Sequence, residues 1–482
     1  MNVGLLGFEY GVLILAILLL LIDLFASDRS KSIVPGFSVL GLIAILAWTF
    51  HDENLGTAFG GAYVQDALAL WFKRFFLIAA ILVQVISIEY SRHIKSGLSE
   101  YFVLQLFALL GMMFAASAKH FMLLFVALEL MTVTFYILVA YLRHRLDSLE
   151  AGVKYLILAA LSSGFLIYGI ALVFGVSGTM DFVELKAVLA KQPTLAGNVV
   201  LQMGLLLIFL GLAFKLAAFP VQIWAPDVYQ GAPTPTTAFL ALGSKAAGVV
   251  LLMRLMGQAI PDVAANWKQL LMVVSALTIL YGSLCALPQR NLKRLLGYSS
   301  IASGGFLLMG FAAASQAGSV AILYYLGGYL FTAAAAFTVI AVIVREAGLE
   351  DVNSLAGLNQ RNPFLAGTLA MAVVSLAGIP PLAGFFGKFL LFKAVLEKGA
   401  EATGYYLLIV VAVVGVLISL YYYLNIIRAI YWSKDPTDLT PIEVSAPTFA
   451  VLSLCIGAIL WLGIFPQNLL DFAARAISTL SF

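Results

Sequence analysis

Long apolar runs separated by short polar links recur along the whole chain. A helix needs about 20 apolar residues to cross roughly 30 Å of hydrocarbon, and many windows reach that length. A spanning barrel would show short alternating strands instead. The pattern predicts fourteen helices, near 8–27, 34–50, 67–90, 99–117, 119–142, 149–175, 199–222, 236–258, 267–287, 295–314, 319–344, 363–396, 403–431 and 447–470. The first lacks a basic region before it and is followed directly by Asp28, Arg29 and Lys31, so it is expected to be a retained anchor and not a signal peptide. The expected fold is an all-α polytopic membrane protein, with residues 1–482 forming one membrane domain.

Composition removes the soluble alternatives. The 482 residues are 62% hydrophobic and only 11% charged, with a mean hydropathy of +1.03, which cannot present a water-compatible surface. A net charge of +3 gives no argument for a nucleic-acid partner; the lipid bilayer is the expected surroundings. With the N-terminus outside, Arg29, Lys31, Arg92, Lys95, Arg143, Arg145, Arg290, Lys293, Arg294, Arg345, Arg361, Arg428 and Lys434 fall on the cytoplasmic side. Fewer basic residues, among them Lys119, Lys186, Lys191, Lys268 and Lys398, fall opposite. That asymmetry follows the positive-inside rule and agrees with an even helix count. Lys73 and Arg74, near the outer end of the third helix, are expected to snorkel to the interface.

The cysteines Cys285 and Cys455 lie far apart in apolar segments, while iron–sulfur ligation needs about four thiolates. The histidines His51, His93, His120 and His144 sit at segment ends or in loops, and no P-loop occurs. No redox centre, metal or cofactor is expected in this chain.

Two segments break the helical rule. From Phe214 the chain reads FKLAAFPVQIWAPDVYQGAPTPTT, with Pro220, Pro226, Pro233 and Pro235 following Lys215. From Ser375 it reads SLAGIPPLAGFFGKFLLFK, with Gly378, Pro380, Pro381, Gly384 and Gly387 leading into Lys388. Proline removes a donor and clashes with the preceding turn, so both helices must break. Non-helical backbone at membrane depth persists only where it is buried in protein or lines a hydrated cavity. One interrupted helix in each half is the pattern of a transporter built from two repeats.

Five charges lie inside the apolar segments: Glu129, Lys154, Lys215, Lys245 and Lys388. Each costs roughly 2.5–3.5 kcal/mol at a membrane helix centre on insertion scales, and such residues commonly mark ion paths or proton relays. Glu129 and Lys245 lie deep in their helices. The alternative for Glu129 is a purely structural pair. Lys215 and Lys388 adjoin broken backbone, whose free carbonyls could simply solvate them. Lys154 lies about a turn inside a cytoplasmic end, where snorkelling suffices. Lys393 is expected at the interface, and Lys293 with Arg294 is expected to serve topology only.

Lys293 to Ser300 (KRLLGYSS), Trp224 to Pro235 (WAPDVYQGAPTP) and the GFFGKF around Lys388 resemble the antiporter-like subunits of proton-pumping NADH:quinone oxidoreductase, complex I. The resemblance covers essentially the whole chain. VYQGAPTP followed by Gly243-Ser244-Lys245, with no long C-terminal extension, resembles one subunit class of that family. The resemblance implies two inverted five-helix repeats, about 99–258 and 267–431, after helices 1–3 (about 8–90) and before a final helix (about 447–470), with the seventh and twelfth helices broken. It implies a hydrated chain of buried charges: Glu129 of the fifth helix, Lys215 of the seventh, Lys245 of the eighth and Lys388 of the twelfth, with Lys154 of the sixth beside it. Many relatives carry a histidine on the tenth helix where this chain has Ser303.

What buried lysine and glutamate can do fits that role. Burial disfavours a charged lysine, whereas an approaching carboxylate favours it, so Glu129 moving relative to Lys215 would load and release a proton toward Lys245 and Lys388. No residue pattern here releases energy. The resemblance therefore implies a hetero-oligomer with other membrane subunits of complex I in the bacterial inner membrane, and NADH, FMN, iron–sulfur clusters and quinone in partner subunits. Two other functions fit the same residues: a cation/proton antiporter subunit of the related multisubunit type, and a structural spacer whose charges only lock helices.

Overall fold

The computed structural model describes residues 3–25, 33–94, 97–260, 267–348, 350–432 and 439–478. Arg29, Lys31, Lys95 and Lys434, together with Asp28 and the expected end of the first helix, lie outside the described residues.

The chain is an all-α membrane protein. In order, the elements are α1 Gly7–Phe25, α2 Val34–His51, the hairpin β1 Gly56–Ala58 with β2 Tyr63–Gln65, α3 Ala67–Tyr90, α4 Leu98–Ser117, α5 Phe121–Val139, α6 Leu146–Ser177, α7 Phe182–Lys191, α8 Val199–Leu216 and α9 Trp224–Gly231. Then follow α10 Thr234–Ala259, α11 Lys268–Ala286, α12 Leu292–Ala312, α13 Gln316–Ala347, α14 Pro363–Ala377, α15 Ala383–Leu396, α16 Thr403–Trp432, α17 Ala446–Ile464 and α18 Gln467–Ile477. Thirteen of the described helices are long and apolar enough to cross a membrane. The α14/α15 pair makes a fourteenth, broken crossing at the expected twelfth position.

Both breaks lie where the prolines and glycines predict. At the seventh crossing α8 ends at Leu216, a turn begins at Ala217 with φ +53°, and α9 resumes at Trp224. At the twelfth, α14 closes on Gly378 with φ +87°, and α15 restarts at Ala383. α6 and α13 each run 32 residues, about 48 Å at 1.5 Å per residue, so they tilt or protrude beyond the hydrocarbon.

Three local features differ from the apolar-run segmentation. The last crossing stops at Ile464 and not near 470, because Pro466 ends it and opens α18, whose exposed Asp471 and Arg475 oppose buried Ala473, Ala476 and Ile477. α7 is a short amphipathic helix capped by Asp181, which accepts from the Val183 and Glu184 amides. The β1–β2 hairpin lies between α2 and α3. All three are too short or too mixed in polarity for a twenty-residue apolar window.

α10, α12 and α13 are the innermost crossings, whereas α2, α6, α16 and α17 turn broad apolar faces outward. The candidate site therefore runs through the best-covered part of the fold.

Candidate functional site

Glu129 is half-buried on α5, and its carboxylate accepts a hydrogen bond from Ser163 of α6. One turn further on, Thr132 is buried and accepts from the Lys215 ammonium at 2.6 Å. The Tyr155 hydroxyl lies 3.4 Å from the same nitrogen. Lys215 closes the last turn of α8, just before the break. Among the described residues Glu129 and Lys215 are neighbours through one turn of α5 and not a direct ion pair. The helix end is itself satisfied, since the Phe214 carbonyl accepts from the Ala217 amide at 3.1 Å and also from the Trp224 indole at 3.0 Å.

Lys245 follows a π-helical turn, Leu240–Ser244, inside α10; such turns are rare and frequent at functional sites. Only 2% exposed, it donates to the Ser300 carbonyl at 2.6 Å and to the Ser300 hydroxyl. Ser300 Oγ lies 3.0 Å from the Tyr229 hydroxyl of α9, and the ammonium sits 5.1 Å from the Tyr329 ring of α13. α12 then carries further hydroxyls: Ser299 is hydrogen-bonded to Tyr423 of α16, and Ser303 donates to the Ser299 carbonyl at 3.0 Å.

One turn beyond Ser303 on α12, the Phe306 ring lies 5.1 Å from the Lys388 ammonium. Lys388, on α15 and 7% exposed, donates to the Leu376 and Ala377 carbonyls at 2.8 and 3.1 Å. Those are the open acceptors at the end of α14, so the break supplies the solvation. Around it, Ser375 Oγ accepts from the Gly384 amide at 3.2 Å and meets Thr332 Oγ1 at 3.1 Å. A Cβ on Gly384 would fall 1.8 Å from the Ser375 carbonyl oxygen, so this crossing point requires glycine.

Lys215, Lys245 and Lys388 are thus buried, and each is held by neutral hydroxyls or carbonyls. α12 joins the last two through Ser299, Ser300, Ser303 and Phe306. Between Lys245 and Lys388 this chain offers serine and tyrosine hydroxyls, which both donate and accept.

Lys154 stands apart. Its side chain is 43% exposed and pairs with Glu150 and with Asp227 of α9, both at 2.8 Å. Asp227 also pairs with Arg294 of α12, so Lys154 belongs to a cytoplasm-side cluster tying α6, α9 and α12. Two further expectations are corrected. Lys73 does not snorkel: it is fully buried, pairs with Glu9 of α1 at 2.7 Å, and donates to Tyr63 and Gln65 at 2.7 and 3.0 Å. Lys293 does more than set topology, because it is buried between Glu350 at 2.8 Å and the Ala232 carbonyl at 2.8 Å.

The segmentation also passed over Arg254 near the outer end of α10. Its guanidinium grips both Asp66 oxygens at 2.7 and 2.8 Å and the Ala116 carbonyl at 2.7 Å. Asp66 caps α3 by accepting from the Ala69 amide. Burial alone would raise its carboxyl, but the adjacent Arg254 outweighs burial and holds it below the ordinary range. Glu89 and Arg345 form a comparable buried pair joining α3 to α13, with Ser445 and Thr448 donating to Glu89. A charge inside an apolar run was the available signal for Glu9, Lys73 and Arg254 alike. Among the described residues no group of three or more His, Cys, Asp or Glu side chains could hold a metal ion.

Residues 118–419 match the family described as NADH:quinone oxidoreductase/Mrp antiporter, transmembrane. The chain is 38% identical over 476 residues to NADH-quinone oxidoreductase subunit N of Desulforamulus reducens, covering 98% of each. It is 40% identical over 486 residues to the subunit N of Heliobacterium modesticaldum, covering both in full. A chain of respiratory complex I from Thermus thermophilus with bound aureothin superposes with a TM-score of 0.79 at 30% identity, over 97% of this chain and 99% of that one. A chain of the Mrp complex from Dietzia sp., 21% identical, shares the fold with a TM-score of 0.84 over 100% and 98% of the two chains.

Proposed function

The chain belongs to the NADH:quinone oxidoreductase/Mrp antiporter transmembrane family and, within it, to the N subunits of NADH-quinone oxidoreductase, and from that membership we propose that it translocates protons through a row of buried lysines within a respiratory NADH:quinone oxidoreductase. The observation that carries the assignment is the arrangement of Lys215, Lys245 and Lys388. Each is buried beside a helix break or a π-turn, and each is held by neutral groups that tolerate both the charged and the neutral amine. Lys73 differs, being locked to the Glu9 carboxylate at 2.7 Å in a structural ion pair.

In this scheme Glu129 tunes Lys215 through the Thr132 turn, Lys245 and the α12 hydroxyls carry the proton across the middle, and Lys388 is the last station. Lys154 contributes from the cytoplasmic cluster and does not stand in the axis. Moving one charge against each 100 mV takes about 2.3 kcal/mol. That energy comes from partner subunits that hold FMN, iron–sulfur clusters and the NADH and quinone reactions, while this chain itself binds none of them. The site of action is the bacterial inner membrane, within a hetero-oligomer of membrane subunits.

The deciding experiment measures proton uptake and NADH oxidation together in vesicles holding the assembled complex with Lys215→Ala. A lowered proton-to-electron ratio is expected. An unchanged ratio in a fully assembled complex would reduce the buried charges to structural spacers, and sodium-dependent transport without NADH oxidation would make the chain an antiporter subunit instead.

A further inference from the structure

Outside the lysine axis, the outer half of the molecule holds an apolar crevice of about 390 Å³ between α3, α13 and the α17–α18 corner. Ligand sites commonly span about 300–1,000 Å³. Its wall descends along α3 from Ala67 to Ile78, 12 residues. At 1.5 Å per residue that is about 16 Å, half the roughly 30 Å hydrocarbon thickness and so the depth of one leaflet. Leu330 and Phe331 of α13 line its deep part.

Two arginines stand along it. Arg74 is committed: it pairs with Glu53 at 2.6 Å and stacks 4.3 Å from the Phe50 ring. Arg475 of α18 is exposed, lies 5.9 Å from the Phe472 ring, and among the described residues forms no ion pair. α18 is amphipathic and runs along α13, and Ala474, next to Arg475, lies with Gln316 and Ala317 at the outer end of α13, which sets Arg475 near headgroup level above a largely apolar slot. The slot is built in: a Cβ on Gly327 would fall 2.7 Å from Leu469, so glycine there lets the start of α18 pack against α13 and form one wall.

We infer that this crevice binds one outer-leaflet phospholipid, an acyl chain lying against Ile78, Leu330 and Phe331 and the phosphate paired with Arg475. The depth matches a single leaflet, the lining is mostly apolar, and of its two arginines Arg475, which forms no ion pair among the described residues, stands at the level where a lipid carries its anion. The site is independent of the proton axis.

The test uses the assembled complex in vesicles of phosphatidylglycerol and phosphatidylethanolamine doped with a phospholipid carrying a diazirine near the acyl terminus. Photolabelling mapped by mass spectrometry is expected to concentrate on Ile78, Leu330 and Phe331. Arg475→Glu is expected to lower that labelling roughly tenfold, the scale of one lost charge-assisted hydrogen bond, and Arg475→Lys to retain most of it. Labelling spread evenly over all lipid-facing helices overturns the proposal, as does crosslinking of the crevice to a neighbouring polypeptide. The wild-type map decides even where a variant fails to assemble.

Discussion

Lys245 of α10 gives two hydrogen bonds to one residue, Ser300 of α12, through its carbonyl at 2.6 Å and its hydroxyl. Because an ammonium only donates, the Ser300 hydroxyl accepts from it and is free to point its own proton to Tyr229, 3.0 Å away. A neutral amine can instead accept, and the same chain then reverses, with Tyr229 donating to Ser300 and Ser300 to Lys245. The trio can therefore pass a change in protonation onward without moving a helix.

Ser300→Ala removes that reversible link and leaves the carbonyl contact intact. The loss of a hydrogen bond to a charged group, about 1.5–3 kcal/mol, predicts proton pumping slowed by roughly tenfold or more with assembly preserved. Tyr229→Phe should act in the same direction. Simultaneous recording of NADH oxidation and vesicle acidification checks this, and a wild-type ratio for Ser300→Ala would remove the hydroxyl from the path.

Thr132 makes a parallel prediction for the first lysine. Thr132→Val keeps the side-chain shape but deprives Lys215 of its 2.6 Å acceptor, leaving Tyr155 at 3.4 Å. Pumping should fall about tenfold, and Thr132→Ser should restore it. Equal activity in the valine and serine variants would mean that Glu129 reaches Lys215 by another route.

These contacts mark where the sequence stopped being informative. Fourteen crossings and both breaks were legible because a bilayer demands about 20 apolar residues per helix and proline cannot stay inside one. Glu129, Lys215, Lys245 and Lys388 were legible because charge in such a run is costly. Partners were not, since Thr132, Ser300 and Tyr229 look ordinary in sequence and come together only through packing. Lys73 shows the reverse error: its place near a helix end suggested snorkelling, yet Glu9 and the Tyr63–Gln65 strand enclose it. Arg254 finds its counter-ion in the α3 cap, 188 residues earlier, which no local pattern reveals.

That Arg254–Asp66 pair predicts an acid-side loss of stability. Asp66 is held below the ordinary carboxylate range, so its contribution is complete above its unfolded value of about 3.9 and disappears as pH falls through the lower folded value. Asp66→Asn leaves a buried guanidinium without its anion and should destabilise the outer ends of α3 and α10 by about 3–5 kcal/mol. Thermal unfolding of the solubilised complex between neutral pH and about pH 3 should show the wild type losing stability toward the variant's level. Parallel curves across that range would assign the acid sensitivity to other carboxylates.

Lys388 allows charge and structure to be separated, because its only hydrogen-bond partners among the described residues are the Leu376 and Ala377 carbonyls at the end of α14. Lys388→Gln keeps N–H donors for those carbonyls but cannot bind and release a proton at working pH. Lys388→Met fills similar space and leaves both acceptors bare, at about 1–3 kcal/mol for each buried group left unsatisfied. Both variants should therefore lose pumping, while only Met should also lower thermal stability. If Lys388→Gln pumps at the wild-type ratio, the lysine serves only to close the break, and the path must leave the chain before α15.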